Sequence, residues 1–290
     1  MEIIILLPGD IIQDEVKKLI QRRVVLDKLK EELVKANIRL NEEVKRIVAE
    51  YEGPFSDIIK ENYIISEKEC LPLCQDTGIL EFFVFLGHEV VLEEPIEKTL
   101  NSAVEEVYVA YPFRYSIVSD PVFERINTHN NTPVVVHVFQ VEGKKLEIRF
   151  LVKGGGSENL STLHMMNPSV GASEIKDFVV EFVKEHGAKA CPPLHIGVGI
   201  GGTADKALVL SKLALTKDFS ERHPDPRYAE LEEEILRTVN LLGIGYQGLG
   251  HGITAYSVHV EYFPTHIATL PVAVSVDCYL CRKGKIVFED

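Results

Sequence analysis

Apolar residues recur every three or four positions between about residues 11 and 69, as in Val16, Leu19 and Ile20 followed by Val24, Leu26 and Leu29. Acids and bases fill the intervals, the spacing of amphipathic helices. Pro54 interrupts the run, so two or three helices are expected. The pattern then changes. ILEFFVFLG (79–87) is apolar and aromatic throughout and predicts a buried strand. Helical spacing returns after Pro95 in IEKTLNSAVEEVYVAY. The segment PVVVHVFQVEGKKLEIRFLVKGGG places two β-rich runs around Glu142-Gly143-Lys144 and predicts a hairpin. Further helices are expected over about 169–186, with Gly187 as a cap, over TADKALVLSKLAL, with Thr203 near its start, and over PRYAELEEEILRTVNLLG. PLHIGVGIGG predicts a strand running into a glycine turn, and TAYSVHVEYF and LPVAVSVDC two closing strands. The apolar start MEIIILLPGD reads as a strand or an ordered arm. Helices first and mixed sheet afterwards predict an α+β (mixed α/β) fold. Its helical region covers about 11–69 and its mixed β-sheet layers, flanked by helices, about 70–290. No repeat or linker divides the chain, so one domain over 1–290 is expected.

Composition narrows the classes of function. A chain of 290 residues with 46% hydrophobic positions can bury a sizeable core. No run of eighteen apolar residues suggests a membrane span, and the start lacks the basic leader of a signal peptide. A net charge of −13 disfavours nucleic acid and anionic membranes as partners. An anionic substrate would therefore need a local cluster of Arg, Lys and backbone N–H groups. Five cysteines, an odd and sparse set, argue against a disulfide framework and for a reducing, cytoplasmic compartment.

Candidate chemistry sits at element ends. Cys74, Cys191 and Cys278 each flank an expected strand, at intervals far too long for a local zinc knuckle. By spacing alone they read as small buried hydrophobes or as ligands that only the fold could gather. Cys70 reads as a helix-end residue, and Cys278 with Cys281 forms a lone C-x-x-C. KGGGSEN (153–159) lets backbone approach a ligand closely and offers N–H groups, the Lys153 charge and two hydrogen-bonding side chains. GVGIGG (197–202) matches G-x-G-x-x-G, but no strand ending in an acid follows, which rejects a dinucleotide site. RYS and RINTHNNTP supply guanidiniums suited to carboxylates. His266 stands in the loop between the last two expected strands, and GIGYQGLGHG (243–252) must be a backbone-dominated turn.

Together, CQDTG, RYS, KGGGSEN, ACPPLHIGVGIGGT, GLGHG and VHVEYFPTHIATLPVAVSVDC resemble, in order, the class I (iron–sulfur) fumarate hydratases. The likeness is to the alpha subunit or N-terminal half, shared with L-tartrate dehydratase, over about residues 22–285. It implies that Cys74, Cys191 and Cys278 ligate a [4Fe–4S] cluster with one iron left open to a small dicarboxylate substrate. It implies that Gln75 hydrogen-bonds a carboxylate and Asp76 handles the proton of the departing hydroxyl. Arg114 matches a carboxylate-binding arginine, Gly155 a backbone contact and His266 an active-site histidine. The implied activity is reversible hydration of fumarate to (S)-malate, a tricarboxylic acid cycle step. The alternatives are L(+)-tartrate dehydration to oxaloacetate and, in another class, a cluster-bearing redox sensor or inactive scaffold. The family's second half carries the base for the carbon-bound proton in a KGT-type motif, and nothing like it follows here. A separate beta subunit is expected to supply it, with two copies of this chain in the heteromer. Two positions depart from the family pattern: Gly250-His251-Gly252 stands where Gly-Gly-Lys is usual, and Cys281-Arg282 where an Asp-Arg pair is common.

Overall fold

The computed structural model describes residues 18–289. Strand β1 (Lys18–Ile20) leads into three helices, α1 (Arg22–Ile38), α2 (Glu42–Ala49) and α3 (Ser56–Glu69). β2 (Ile79–Gly87), β3 (Val90–Leu92), α4 (Ile96–Ala110), β4 (Val135–Val141) and β5 (Leu146–Lys153) follow. The remainder is α5 (Gly155–Glu158), β6 (Thr162–Met166), α6 (Ala172–His186), β7 (Leu194–Gly201), α7 (Ala204–Ala214), α8 (Pro226–Asn240), β8 (Ala255–Phe263), β9 (Leu270–Asp277) and β10 (Lys283–Phe288). The fold is α+β, as the pattern of the sequence implied.

Two four-stranded mixed sheets, ordered β10-β5-β2-β4 and β6-β9-β7-β8, form the frame. Each strand of the first sheet puts alternate residues on opposite faces. Phe82, Val84, Ile148, Phe150 and Ile286 pack outward under α1 and α4. On the second sheet, Ile196, Val198, Val274 and Val276 pack outward under α6 and α8. Helix α7 lies between the sheets, its Leu215 flank meeting Phe83 and Leu151 of the first. Its other flank lies on β7, and here the glycines decide the spacing. A Cβ on Gly197 would stand 2.0 Å from the Ser211 carbonyl oxygen, and one on Gly199 2.0 Å from that of Ala207. The glycine-rich strand thus serves helix packing.

Two expectations need correction. The hairpin over residues 133–156 is not formed, because β2 lies between its two arms. β2 runs parallel to β4, with Glu81 opposite Val135, and antiparallel to β5, with Ile79 opposite Lys153. β2 is apolar on both faces and takes a central place, whereas β4 is only partly covered and takes the edge. Leu19 and Ile20 were expected in a helix, but they form a strand parallel to β3 and the helix starts at Arg22. The earlier part of that helical expectation and the strand or arm read from MEIIILLPGD lie outside the described residues. Gly187 does cap α6, its N–H donating to the Val183 carbonyl, but not in a left-handed turn. It stays right-handed and leads into a 3-10 turn, and the left-handed residue is Cys191, at φ 52°. Strands β3, β6 and β10 were not foreseen.

Two buried histidines join β7 to β8. His195 Nε2 lies 2.8 Å from His259 Nδ1, and His259 Nε2 3.2 Å from the Glu221 carbonyl oxygen. A carbonyl only accepts, so His259 donates from Nε2; with that ring neutral its Nδ1 accepts, and His195 donates from Nε2. Burial keeps both rings neutral. Burial holds His259 down to about 3 and, with the nearby Lys283 charge, holds His195 well below 6.5.

Replacing Gly199 by Ala should cost at least about 1–3 kcal/mol, because the added methyl meets helix backbone that cannot rotate away. Denaturant midpoints read this, and an unchanged midpoint contradicts the packing account. The histidine pair adds a pH dependence. Unfolded histidines protonate below about 6.5, whereas these stay neutral in the fold, so their stabilisation is complete above that pH and shrinks below it. Stability should fall by about 1.4 kcal/mol per pH unit per histidine from pH 6.5 to 5. A His195→Gln/His259→Gln double variant should show a flatter profile, and an equally steep one contradicts the assignment.

Candidate active site

The loop after α3 is fixed before its chemistry begins. Cys70 ends the helix in the left-handed region and is exposed. The Leu73 N–H donates to the Asn37 carbonyl at 2.8 Å, and Asn62 Nδ2 donates to the Leu73 carbonyl at 3.0 Å. Asp76 then closes a tight turn, its Oδ1 accepting from the Gly78 N–H at 2.9 Å. Gly78 has φ 72°, and a Cβ there would meet the Lys153 carbonyl oxygen at 2.6 Å, so only glycine fits. Asp76 Oδ2 accepts from the Gly155 N–H at 2.8 Å. The acid therefore joins the CQDTG loop to the glycine triplet. The RYS segment is brought in by Thr77, whose Oγ1 donates to the Arg114 carbonyl at 2.7 Å. Buried Asn131 completes the junction: it accepts from the Ser116 N–H at 2.7 Å and donates to the Gly78 carbonyl at 3.0 Å.

The three cysteines come together from three remote segments. Cys191 ends the turn before β7 and Cys278 follows β9. These strands are antiparallel neighbours with His195 opposite Asp277, so both cysteines lie at one end of the second sheet. The Cys191 carbonyl accepts from the Tyr279 N–H at 3.0 Å, and the Pro192 carbonyl from the Gln247 N–H at 2.8 Å, so the GIGYQGLGHG turn braces this loop. Cys74 and Cys278 border one apolar cluster with Leu73, Tyr256 and Leu280. The Tyr279 phenol is held above its ordinary range by burial and then by Cys278, Cys74 and Cys191. Burial and then Cys74 raise the Cys191 thiol, and burial and then Asp277 push Cys278 up to about 12. Cys281 is engaged elsewhere: it is buried and its Sγ donates to the Cys278 carbonyl at 3.1 Å. Among the described residues, no three His, Cys, Asp or Glu side chains close on a single ion.

Beneath the thiols lies a buried layer of charge. Lys153 is fully buried; its Nζ donates to Ser157 Oγ at 3.1 Å and to the Val276 carbonyl. The lysine of the glycine motif therefore points into the protein. Asp277 accepts from the Cys278 N–H at 2.9 Å. Burial raises its carboxyl, against the pull of Lys153 and then Arg282. Arg282 is 3% exposed.

Gln75, Arg114, Gly155 and Cys191 are exposed around Asp76 and the half-buried Cys74 and Cys278, so the thiol face is open. His266 is not part of this group. It precedes β9 while Cys278 follows it, and the eight residues of that strand span about 25 Å. Its ring accepts from the Ala268 N–H at 3.1 Å in an exposed loop beside Thr203, at the far end of the sheet.

Residues 16–287 match the family model described as fumarate hydratase (Fumerase). The L(+)-tartrate dehydratase subunit alpha of Escherichia coli strain K12 is 36% identical over 220 residues, covering 74% of this chain and 72% of its own. The subunit of that name from Shigella sonnei strain Ss046 matches to the same extent. A Methanocaldococcus jannaschii protein provisionally named as the same subunit is 40% identical over 267 residues, covering 86% of this chain and 92% of its own. The chain belongs to the fumarate hydratase family. It is thus a hydro-lyase of the fumarate hydratase and tartrate dehydratase group.

Within this family fold, reading the sequence missed Asn131, Asp277 and Tyr279, and noted Arg282 only as part of a departure from the family pattern. Asn131 carried one signal, a polar run in which Asn suits a left-handed backbone, here φ 60°. The other three stand beside Cys278 and Cys281, but only the fold turns them toward the site. Replacing Asn131 by Ala strands the part-buried Ser116 N–H and the buried Gly78 C=O, at a combined cost of about 1–4 kcal/mol. Denaturant unfolding should show a loss in that combined range, and an effect below about 0.5 kcal/mol contradicts the bridge.

Proposed function

We propose that this chain is the cluster-bearing alpha subunit of a hydro-lyase that hydrates fumarate reversibly to (S)-malate with a separate beta subunit. The observation carrying this reading is the Asp76 carboxylate, fixed by the Gly78 and Gly155 N–H groups on the loop of Cys74, together with Cys191 and Cys278 at one end of the second sheet. The donor set fits an iron–sulfur cluster. It consists of thiols alone, the soft ligands such clusters take. Cys74, Cys191 and Cys278 would hold a [4Fe–4S] core. When bound, that core supplies Lewis acidity at an iron without a protein ligand, which polarises a substrate oxygen.

The chain's own residues supply the rest. An ionised carboxylate offers about four lone-pair directions. Gly78, Gly155 and, more weakly, Ser116 Oγ at 3.5 Å occupy three of them. Asp76 thus keeps acceptor capacity for a substrate hydroxyl proton while its orientation is fixed. The Gly155 N–H orients Asp76 and acts on the substrate through it. Arg114 and Gln75, exposed at the rim, suit the two ends of a dicarboxylate. Both are open to water, and a partner chain would exclude that water and bring the base for the carbon-bound proton. The names of the relatives, subunits alpha, support such a partner. Those names also favour the second reading, dehydration of L(+)-tartrate to oxaloacetate. His266, about 25 Å of strand away from Cys278, has no part within one chain.

The test is anaerobic co-expression with a beta chain, followed by assays on fumarate and L(+)-tartrate. Turnover of fumarate supports the first reading and turnover of tartrate alone the second. No turnover by a fully loaded complex rejects both in favour of a sensor or scaffold. Serine in place of Cys74, Cys191 or Cys278 should each abolish the visible cluster absorbance, whereas Cys70→Ser and Cys281→Ser should retain it. Loss with Cys281→Ser and retention with Cys278→Ser would displace the third ligand.

A further inference from the structure

Arg282 is a buried guanidinium that the proposed mechanism leaves unused. Its Nη1 donates to Asn37 Oδ1 at 3.4 Å, and its Nε is buried with no hydrogen-bond partner. Asn37 is fully buried and tied to the CQDTG loop, since its carbonyl accepts from the Leu73 N–H. The Arg282 carbonyl accepts from the Val152 N–H at 2.9 Å, which anchors the residue to the strand that delivers the glycine triplet. The decisive contact is at Gly154. A Cβ there would stand 3.2 Å from Asp76 Oδ2 and 3.8 Å from Arg282 Nη2. Cation and carboxylate thus both border the space that this glycine leaves free, at most 7.0 Å apart (3.2 + 3.8 Å) and without a direct ion pair. Asp277, the competing carboxylate, has Lys153 as its first cationic neighbour. The phenol of Tyr108 lies within reach of both Arg282 and Asp76 and donates its proton to the Thr77 carbonyl. A buried cation with an unsatisfied donor is costly, so its place here is not explained by stability.

We propose that Arg282 is a positioning residue for this site: from beneath Gly154 it fixes the Asp76 carboxylate toward the three thiols. The role in turnover rests on the reading of Asp76 as the proton-handling acid, whereas the placement of Asp76 does not. Two measurements separate them. In the full chain without substrate, the Gly78 and Gly155 amide resonances report the Asp76 carboxylate they bond. Arg282→Met should move both and Arg282→Lys should leave them near their original positions. Gly154→Ala, acceptable to a backbone at φ −71°, should move them too, because its methyl enters the gap. Unmoved resonances in the Met and Ala variants overturn the inference whatever the enzyme does. In the assembled complex, Arg282→Met should lower kcat by about tenfold or more, leave KM within about twofold, and be largely rescued by Lys. A rise in KM at constant kcat would make Arg282 a substrate contact instead, and equal losses in the Met and Lys variants would make it merely structural. Either result overturns positioning.

Discussion

The site depends on one buried ammonium group. Lys153 ends β5 of the first sheet, and its Nζ donates to the Val276 carbonyl near the end of β9 in the second. An ammonium deprived of water costs several kcal/mol unless partners replace the lost hydration. The Val276 carbonyl, Ser157 and the Asp277 carboxylate provide that replacement. The bridge holds two sheets together where their strand ends carry chemistry. Next to it on the first sheet are Gly154 and the loop from Cys74 to Gly78. Next to it on the second are Cys278 and, one strand over, Cys191.

α7 sets the spacing of the sheets and Lys153 their alignment at this end. Gly197 and Gly199 let α7 lie against β7, and Leu215 meets the first sheet. The segment from Cys278 to Arg282 then crosses from β9 to β10, from one sheet to the other. A short crossover cannot wander, so Tyr279 and Arg282 are placed as firmly as the strands they join. In this way three thiols far apart in sequence reach one face while one carboxylate, Asp277, and two cations, Lys153 and Arg282, lie buried nearby. Local cations offset a chain whose overall charge would repel a dianion.

Much of this was legible before the fold, and the limits follow from physics. Helices α1 to α4 and α6 to α8 follow apolar spacing, because each turns its buried residues toward the interior. The failed hairpin shows what local pattern cannot hold. Glu142-Gly143-Lys144 does turn the chain, but the turn meets residues 87–89, with the Glu89 N–H donating to the Gly143 carbonyl. Strand order depends on which strand most needs both faces covered, a comparison across the whole sheet. The cysteines were visible as residues but ambiguous by spacing, and the family resemblance decided for a cluster where spacing alone could not. His266 shows the converse. A motif places a residue in a family, while strand length decides what it reaches within one chain.

The central claim is that Cys74, Cys191 and Cys278 together surround one polynuclear iron core with an open corner. Iron-edge anomalous diffraction from the anaerobically loaded protein tests it most directly. The account predicts a single compact iron site bounded by those three sulfurs, with one iron lacking a protein ligand near Asp76. Iron bound through Cys281 in place of Cys278, or separate iron peaks at individual cysteines, would contradict it.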